Sequence, residues 1–234
     1  MAIIMEEKLP TSLDKKLLPA LSALQIRLSL RVRLTPLAQN IETVAGCDVA
    51  FTKEAAVAVA VLYRLRDLKL LETALARGPA PLPYIPGFLS FRETPCLLKA
   101  IRKLRQKPDV ILVDGQGIAH PRGLGLASHL GLMLGIPSIG CAKSKLVGSY
   151  KEPAPERGSL SCLFLHHRPV GMVVRTRARV RPVFVSPGHL ITLAEAVQIV
   201  LKLSPRYRLP EPLRMADRLT KLAKKGRLRP GDDK

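Results

Sequence analysis

The sequence predicts an α/β protein in which helices flank a mixed central β-sheet. Three observations point there. Segments of strand character follow one another early in the chain, joined by short connections. Beyond residue 95 strands and helices alternate, a pattern that favours parallel pairing. Of the 234 residues 47% are hydrophobic and 24% charged, the balance of a globular chain long enough to bury a sizeable core without staples.

The elements read in order as follows. Residues 12–33, SLDKKLLPALSALQIRLSLRVR, put Leu17, Leu21, Leu24, Leu28 and Val32 on one side of a helix, with Pro19 near its start or at a kink. Residues 43–51 (TVAGCDVAF), 55–65 (AAVAVAVLYRL) and 68–76 (LKLLETALA) have strand character, the last being ambiguous with helix. The connections TKE and RD suit an antiparallel meander. A proline-rich interruption, GPAPLPYIPG, spans 78–87, and FLSFRE with residues 95–106 reads as helix. A buried strand at 110–114, a helix at 124–134 and a strand at 138–142 continue the alternation. Weaker strands fall at 161–165, 170–175 and 182–185, and helices at 193–203 and 213–222. Residues 1–222 form one domain in this reading, and 223–234 a basic, mobile tail.

Charge narrows the function. Thirty-eight Lys and Arg against 18 Asp and Glu leave a net +20, and residues 168–229 hold fifteen basic residues against Glu195, Glu211 and Asp217. That suits a polyanion, nucleic acid or an anionic membrane surface, unless the surface is merely basic and solvated. An aromatic content of 4% argues against a single-strand binder built from many stacking platforms. No apolar run reaches the ~18 residues that span a bilayer, and acids near the N-terminus do not fit a signal peptide. The four cysteines, Cys47, Cys96, Cys141 and Cys162, form no C-x-x-C pair, which argues against zinc. They read as free thiols of a soluble, intracellular protein. There is no P-loop and no G-x-S-x-G elbow.

Three acids remain to be explained. Asp48 lies inside an apolar strand, where an ionised carboxylate is costly unless paired or metal-bound. Asp114 ends a later strand in VILVDGQG, and Glu93 follows the proline-rich loop. Singly, Asp114 reads as a turn or cap residue, and Glu93 as a solvated helix residue. Should the two strands pair, both aspartates reach one end of the sheet, where α/β proteins keep their ligand sites. Like charges brought together raise one another's pKa unless a cation neutralises them. Hard oxygen donors suit Mg²⁺, or Mn²⁺ as a substitute, and paired ions there can activate water on a phosphodiester.

Four ordered blocks then carry a resemblance: AGCDVAF, PYIPGFLSFRE, LVDGQGIAHPRGLGLASHLG and GIPSIGCAKSKLVG, which cover most of residues 42–148. They resemble the endonuclease V family of inosine-directed nucleases, as does RLPEPLRMAD near the C-terminus. Cys47 stands where a valine is usual, a change of similar size. The resemblance implies a ribonuclease H-like core. It implies Mg²⁺-dependent hydrolysis of the second phosphodiester bond 3′ to a deaminated adenine, leaving 3′-OH and 5′-phosphate ends.

It further implies that Asp48, Glu93 and Asp114 are the metal-binding triad, with Asp217 loosely matched nearby. PYIP, which is Pro83, Tyr84, Ile85 and Pro86, looks like a strand-separating wedge. Prolines hold its shape, and Tyr84 and Ile85 are groups held for insertion beside the lesion. Gly87, Leu89, Gly117, His120, Gly125 and Ala142 belong near a pocket for the extruded base. His120 is either a substrate contact or a helper at the metal site. Lys143 supplies positive charge at the reacting phosphate, and Arg92 and Arg122 are phosphate contacts or surface ion-pair partners. The expected partner is deoxyinosine-containing DNA, with inosine-containing RNA as the alternative and no membrane. The expected protein is a cytoplasmic monomer. A basic nucleic-acid-binding protein whose acids are structural stands as the non-catalytic alternative.

Overall fold

A computed structural model describes residues 17–52 and 55–228. Among the described residues there are five helices and an eight-stranded sheet. In chain order these are α1 (Leu17–Ser29), β1 (Thr43–Phe51), β2 (Ala56–Arg64), β3 (Lys69–Gly78), α2 (Leu89–Ile101), β4 (Val110–Val113), α3 (Leu126–Leu134), β5 (Ser138–Ala142), β6 (Leu160–Leu165), β7 (Arg168–Val174), β8 (Val183–His189), α4 (Leu193–Lys202) and α5 (Glu211–Lys224). The strands lie in the order β3-β2-β1-β4-β5-β8-β7-β6. The expected meander is present: β1, β2 and β3 are antiparallel neighbours. The expected parallel pairs β1–β4 and β4–β5 follow, and β8, β7 and β6 extend the sheet antiparallel.

Several elements differ from their sequence reading. The ambiguous third segment is a strand, paired with β2 along its length. The helix after the proline-rich loop is one unit with Pro95 inside it, and it ends at Ile101. Pro95 is exposed, so its ring meets solvent rather than the core. α1 ends at Ser29, and the portion of its predicted span before Leu17 lies outside the described residues. α3 starts at Leu126 and stops at Gly135, whose φ of 61° gives the left-handed C-cap that glycine favours. The last helix runs to Lys224, two residues past its expected end, and residues 229–234 of the expected tail lie outside the described residues. His166 and His167, with φ of 49° and 62°, form the two-residue turn between β6 and β7.

The strand period of two sets the layers. Ala45, Cys47, Ile111 and Val113 face α2 and α3 through Leu97, Ala100 and Leu130. Val44, Leu112, Ile139 and Val185 face the other layer, packing with Val197 and Val200 of α4 and Leu213 of α5. Even-numbered residues of β1 and β4 therefore look toward α4 and α5, and Asp48 and Asp114 are both even. α5 approaches β1 closely, because a Cβ on Gly46 would meet Pro212 at 2.4 Å. That closeness is what brings the far end of α5 to Asp48. Among the described residues no helix is long and apolar enough to cross a membrane.

Candidate functional site

The parallel register of β1 and β4 pairs Val44 with Val110 and runs to Cys47 with Val113. One further step brings Asp48 level with Asp114, on the same face. Neighbouring strands lie ~4.8 Å apart, so the two carboxylates share one end of the sheet. Glu93, from the second turn of α2, completes the group: its acidity responds to both Asp48 and Asp114.

Burial, and then the charges of Asp48 and Asp114, push the Glu93 pKa up to about 8, with Arg92 opposing. Asp48 is also raised, first by burial and then by Asp217 and Asp114, while a hydrogen bond from Thr220 works against the rise. The three acids thus repel one another in a half-buried place. Lys143 relieves part of this by an ion pair with Asp114. Burial disfavours its charge, but the bond to Asp114 outweighs that and raises its pKa. Asp217 stands close enough to act on both Asp48 and Lys143, and it pairs with Lys221 at 2.6 Å. Among the described residues no three His, Cys, Asp or Glu groups form a ready-made chelate. The donor set fits a hard, water-rich cation held by one or two carboxylates at a time, the usual manner of Mg²⁺.

Beside the acids lies a cavity of about 310 Å³ lined by Tyr84, Gly87, Leu89, His120, Gly125 and Ala142 among others, and reaching Asp114 and Lys143. Five of the six residues expected near a base pocket line it. Gly117 does not. It is packed against β8, where a Cβ would meet the Pro187 carbonyl at 2.1 Å, and its N–H donates to Ser186 Oγ at 2.7 Å.

In the proline loop the two neighbouring residues Tyr84 and Ile85 differ in exposure. Tyr84 is 55% exposed, free to meet a ligand, but Ile85 is only 5% exposed. Ile85 anchors the loop in the free protein. From Ile85 the chain makes a turn closed by Phe88 N–H donating to the Ile85 carbonyl at 3.0 Å. Pro86 and Gly87, with φ of 78° at the glycine, are the residues a type II turn prefers at its centre.

The Gly87 carbonyl accepts from three side chains: Arg122 Nη2 at 2.7 Å, Gln25 Nε2 at 3.0 Å and His120 Nε2 at 3.1 Å. These contacts hold the side chains of His120 and Arg122 against the Gly87 turn. His120 Nδ1 accepts the Arg122 N–H at 3.2 Å, so the proton sits on Nε2 and points at Gly87. Burial, and then Arg122, lower the His120 pKa to about 4. The ring is neutral at neutral pH with both nitrogens engaged by the protein. Arg122 also donates to Gln25 Oε1 and lies 4.4 Å over the Phe88 ring. These contacts tie it to the loop. Arg92 stacks on Phe51 at 3.9 Å beside Glu93.

Two participants escaped the sequence reading. Gln25 is the one buried residue of α1; a polar residue on the apolar stripe of Leu21 and Leu28 was its signal. Thr220 is fully buried and donates its hydroxyl to Asp48 from 172 residues away; a threonine on an apolar helix face gives no such signal.

Residues 26–218 match the family model described as Endonuclease V. The chain is 57% identical over 194 residues to the Endonuclease V of Geotalea uraniireducens, covering 83% of each chain. Its fold superposes on the crystal structure of Endonuclease V from Streptomyces avermitilis with a TM-score of 0.85 at 41% identity, covering 89% of this chain and 93% of that one. The Ciona intestinalis Endonuclease V, solved with a 24mer DNA containing an inosine followed by a ribo-adenosine, matches with a TM-score of 0.79 at 25% identity, covering 90% and 99%.

Proposed function

The chain belongs to the endonuclease V family, and on that premise we propose that it is a DNA repair endonuclease directed to deoxyinosine. It hydrolyses the second phosphodiester bond 3′ to the lesion and leaves 3′-OH and 5′-phosphate ends. The observation that carries this reading is that Asp48 and Asp114 follow the last paired residues of β1 and β4, with Glu93 beside them, and that Asp114 lines a cavity edged by exposed Tyr84.

Asp48, Glu93 and Asp114 hold the divalent cation, Mg²⁺ or Mn²⁺, with Asp217 at the edge of the group. When bound, the cation neutralises the clustered carboxylates, activates water and stabilises the leaving 3′ oxygen. Lys143 has its charge fixed by Asp114 and meets the reacting phosphate as a point charge. Thr220 orients Asp48. Tyr84 stacks where the base has left the helix, on a loop held rigid by Ile85 and the Gly87 clamp. Leu89, Gly125 and Ala142 shape the base pocket. Four free thiols favour a reducing compartment, the cytoplasm, and one chain carries every site residue, so a monomer suffices.

Incubation with inosine-bearing duplex DNA, with Mg²⁺ and with chelator, tests the reading. A metal-dependent cut at the second bond 3′ to inosine is expected; no cut at inosine refutes it. The matched RNA belongs in the same assay, because a single 2′-OH contact separates the two sugars.

A further inference from the structure

The segment joining β7 to β8 is built as a rigid turn that presents arginines. Arg175 is 8% exposed and its guanidinium donates to the Val180 carbonyl at 2.6 Å, the Pro153 carbonyl at 2.7 Å, Glu152 at 2.8 Å and the Ala154 carbonyl at 3.1 Å. The Arg179 N–H donates to the Pro155 carbonyl at 2.8 Å. Thr176 Oγ1 donates to the Arg208 carbonyl at 2.6 Å. Arg208 Nη2 in turn donates to the carbonyls of Pro182, at 2.9 Å, and of Lys143, at 2.5 Å.

Held on this frame, Arg177, Arg179 and Arg181 are exposed, and among the described residues none has an acidic partner. Arg179 has a φ of 59°, a left-handed conformation that costs an L-residue energy and that glycine would relieve.

Topology puts the turn at the site. Ala142, the last residue of β5, pairs with Phe184 at the start of β8. The β7–β8 turn therefore leaves the sheet at the same end as Asp114 and Lys143. Charge agrees: Arg208 senses both Arg181 and Asp114. Three like charges on one turn, at the same end of the sheet as Lys143, are unfavourable for the free protein. They become favourable when phosphates enter.

We infer that Arg177, Arg179 and Arg181 form a preformed phosphate-binding arm, which holds the nucleic-acid backbone beside the cleavage site and connects to Lys143 through Arg208. The inference rests on the nuclease reading above and adds a second anchoring surface outside the acidic site and the wedge. Such contacts give affinity without sequence information, and their signature is counterion release.

The test measures Kd for an inosine-containing duplex, in chelator, across a salt series. Three proteins are compared: wild type, R177Q/R179Q/R181Q, and K69Q/R102Q/K107Q. The last loses the same three charges at the opposite end of the sheet. The magnitude of the slope of log K against log salt should fall by about 2 to 3 in the arm variant. It should be unchanged in the control and restored in R177K/R179K/R181K. Equal slopes in the arm variant and wild type overturn the arm, as do equal losses in the arm and control variants. A lysine variant that matches the glutamine one shows loop damage and overturns it also. The wild-type cleavage assay separates the two failures. A wild type that cuts at inosine but shows no arm effect refutes the arm alone, and one that neither binds nor cuts refutes the nuclease reading with it.

Discussion

Arg122 donates its Nη2 to the Gly87 carbonyl at 2.7 Å, which ties a residue expected at phosphate or in a surface ion pair to the turn that follows Tyr84. Gly87 receives His120 and Gln25 as well, so the loop behind Tyr84 is fixed by three side chains from two distant parts of the chain. This predicts that Arg122→Lys, which keeps the charge, still weakens inosine-duplex binding. A lysine cannot bridge Gln25 and Gly87 while covering Phe88. About a tenfold rise in Kd is expected, or ~1.4 kcal/mol, with no change in salt slope. Wild-type affinity in that variant would remove the clamp from the binding account.

Tyr84 and Ile85 are neighbours with opposite exposures, and their alanine variants should separate. Tyr84→Ala should lose ~1–3 kcal/mol of binding, the worth of one stacked base, and leave the melting temperature alone. Ile85→Ala should lower stability by ~2–4 kcal/mol through the cavity it opens. Melting curves and binding isotherms on both variants check this. A stable Ile85→Ala protein with weak binding would mean that Ile85 inserts after all.

Asp48→Ala and Asp114→Ala should each abolish cleavage. Thr220→Val should be milder, because it removes only the hydroxyl that orients Asp48. A fall in kcat of roughly tenfold, about the worth of one hydrogen bond to a charged group, is expected with KM little changed. Thr220→Ser should recover it. A valine variant with full kcat would leave Thr220 as packing alone.

Glu93 links pH, metal and stability. Its folded pKa of about 8 lies above the ordinary 4.5, so the native state holds the proton more tightly than the unfolded chain. The stability this gives is present below pH 4.5 and lost as pH rises through 8. At pH 9 without metal, Glu93→Gln should therefore melt higher than wild type. Adding Mg²⁺ should raise the wild type more than the variant, since the cation offsets the ionised carboxylates. Thermal melts at pH 6 and pH 9, with and without Mg²⁺, measure both differences. A Glu93→Gln protein that melts below wild type at pH 9 contradicts the assignment.

Much of this protein is legible in the sequence. Apolar runs bounded by short connections marked the strands, and an acid inside one, Asp48, and at the end of another, Asp114, were visible in them. The PYIPG stretch announced a stiff loop, because proline and glycine dictate backbone angles locally. Tertiary structure decided the rest. The β1–β4 register made Asp48 level with Asp114, and no local pattern contains that pairing. Packing turned Ile85 inward and Tyr84 outward, although both are large and partly apolar. Hydrogen bonds across 97 residues, from Arg122 to Gln25, and across 172, from Thr220 to Asp48, took side chains whose types suit solvent, phosphate or core equally well. A residue's type sets which bonds it can make, and only the folded chain sets which partners come within 3 Å of it.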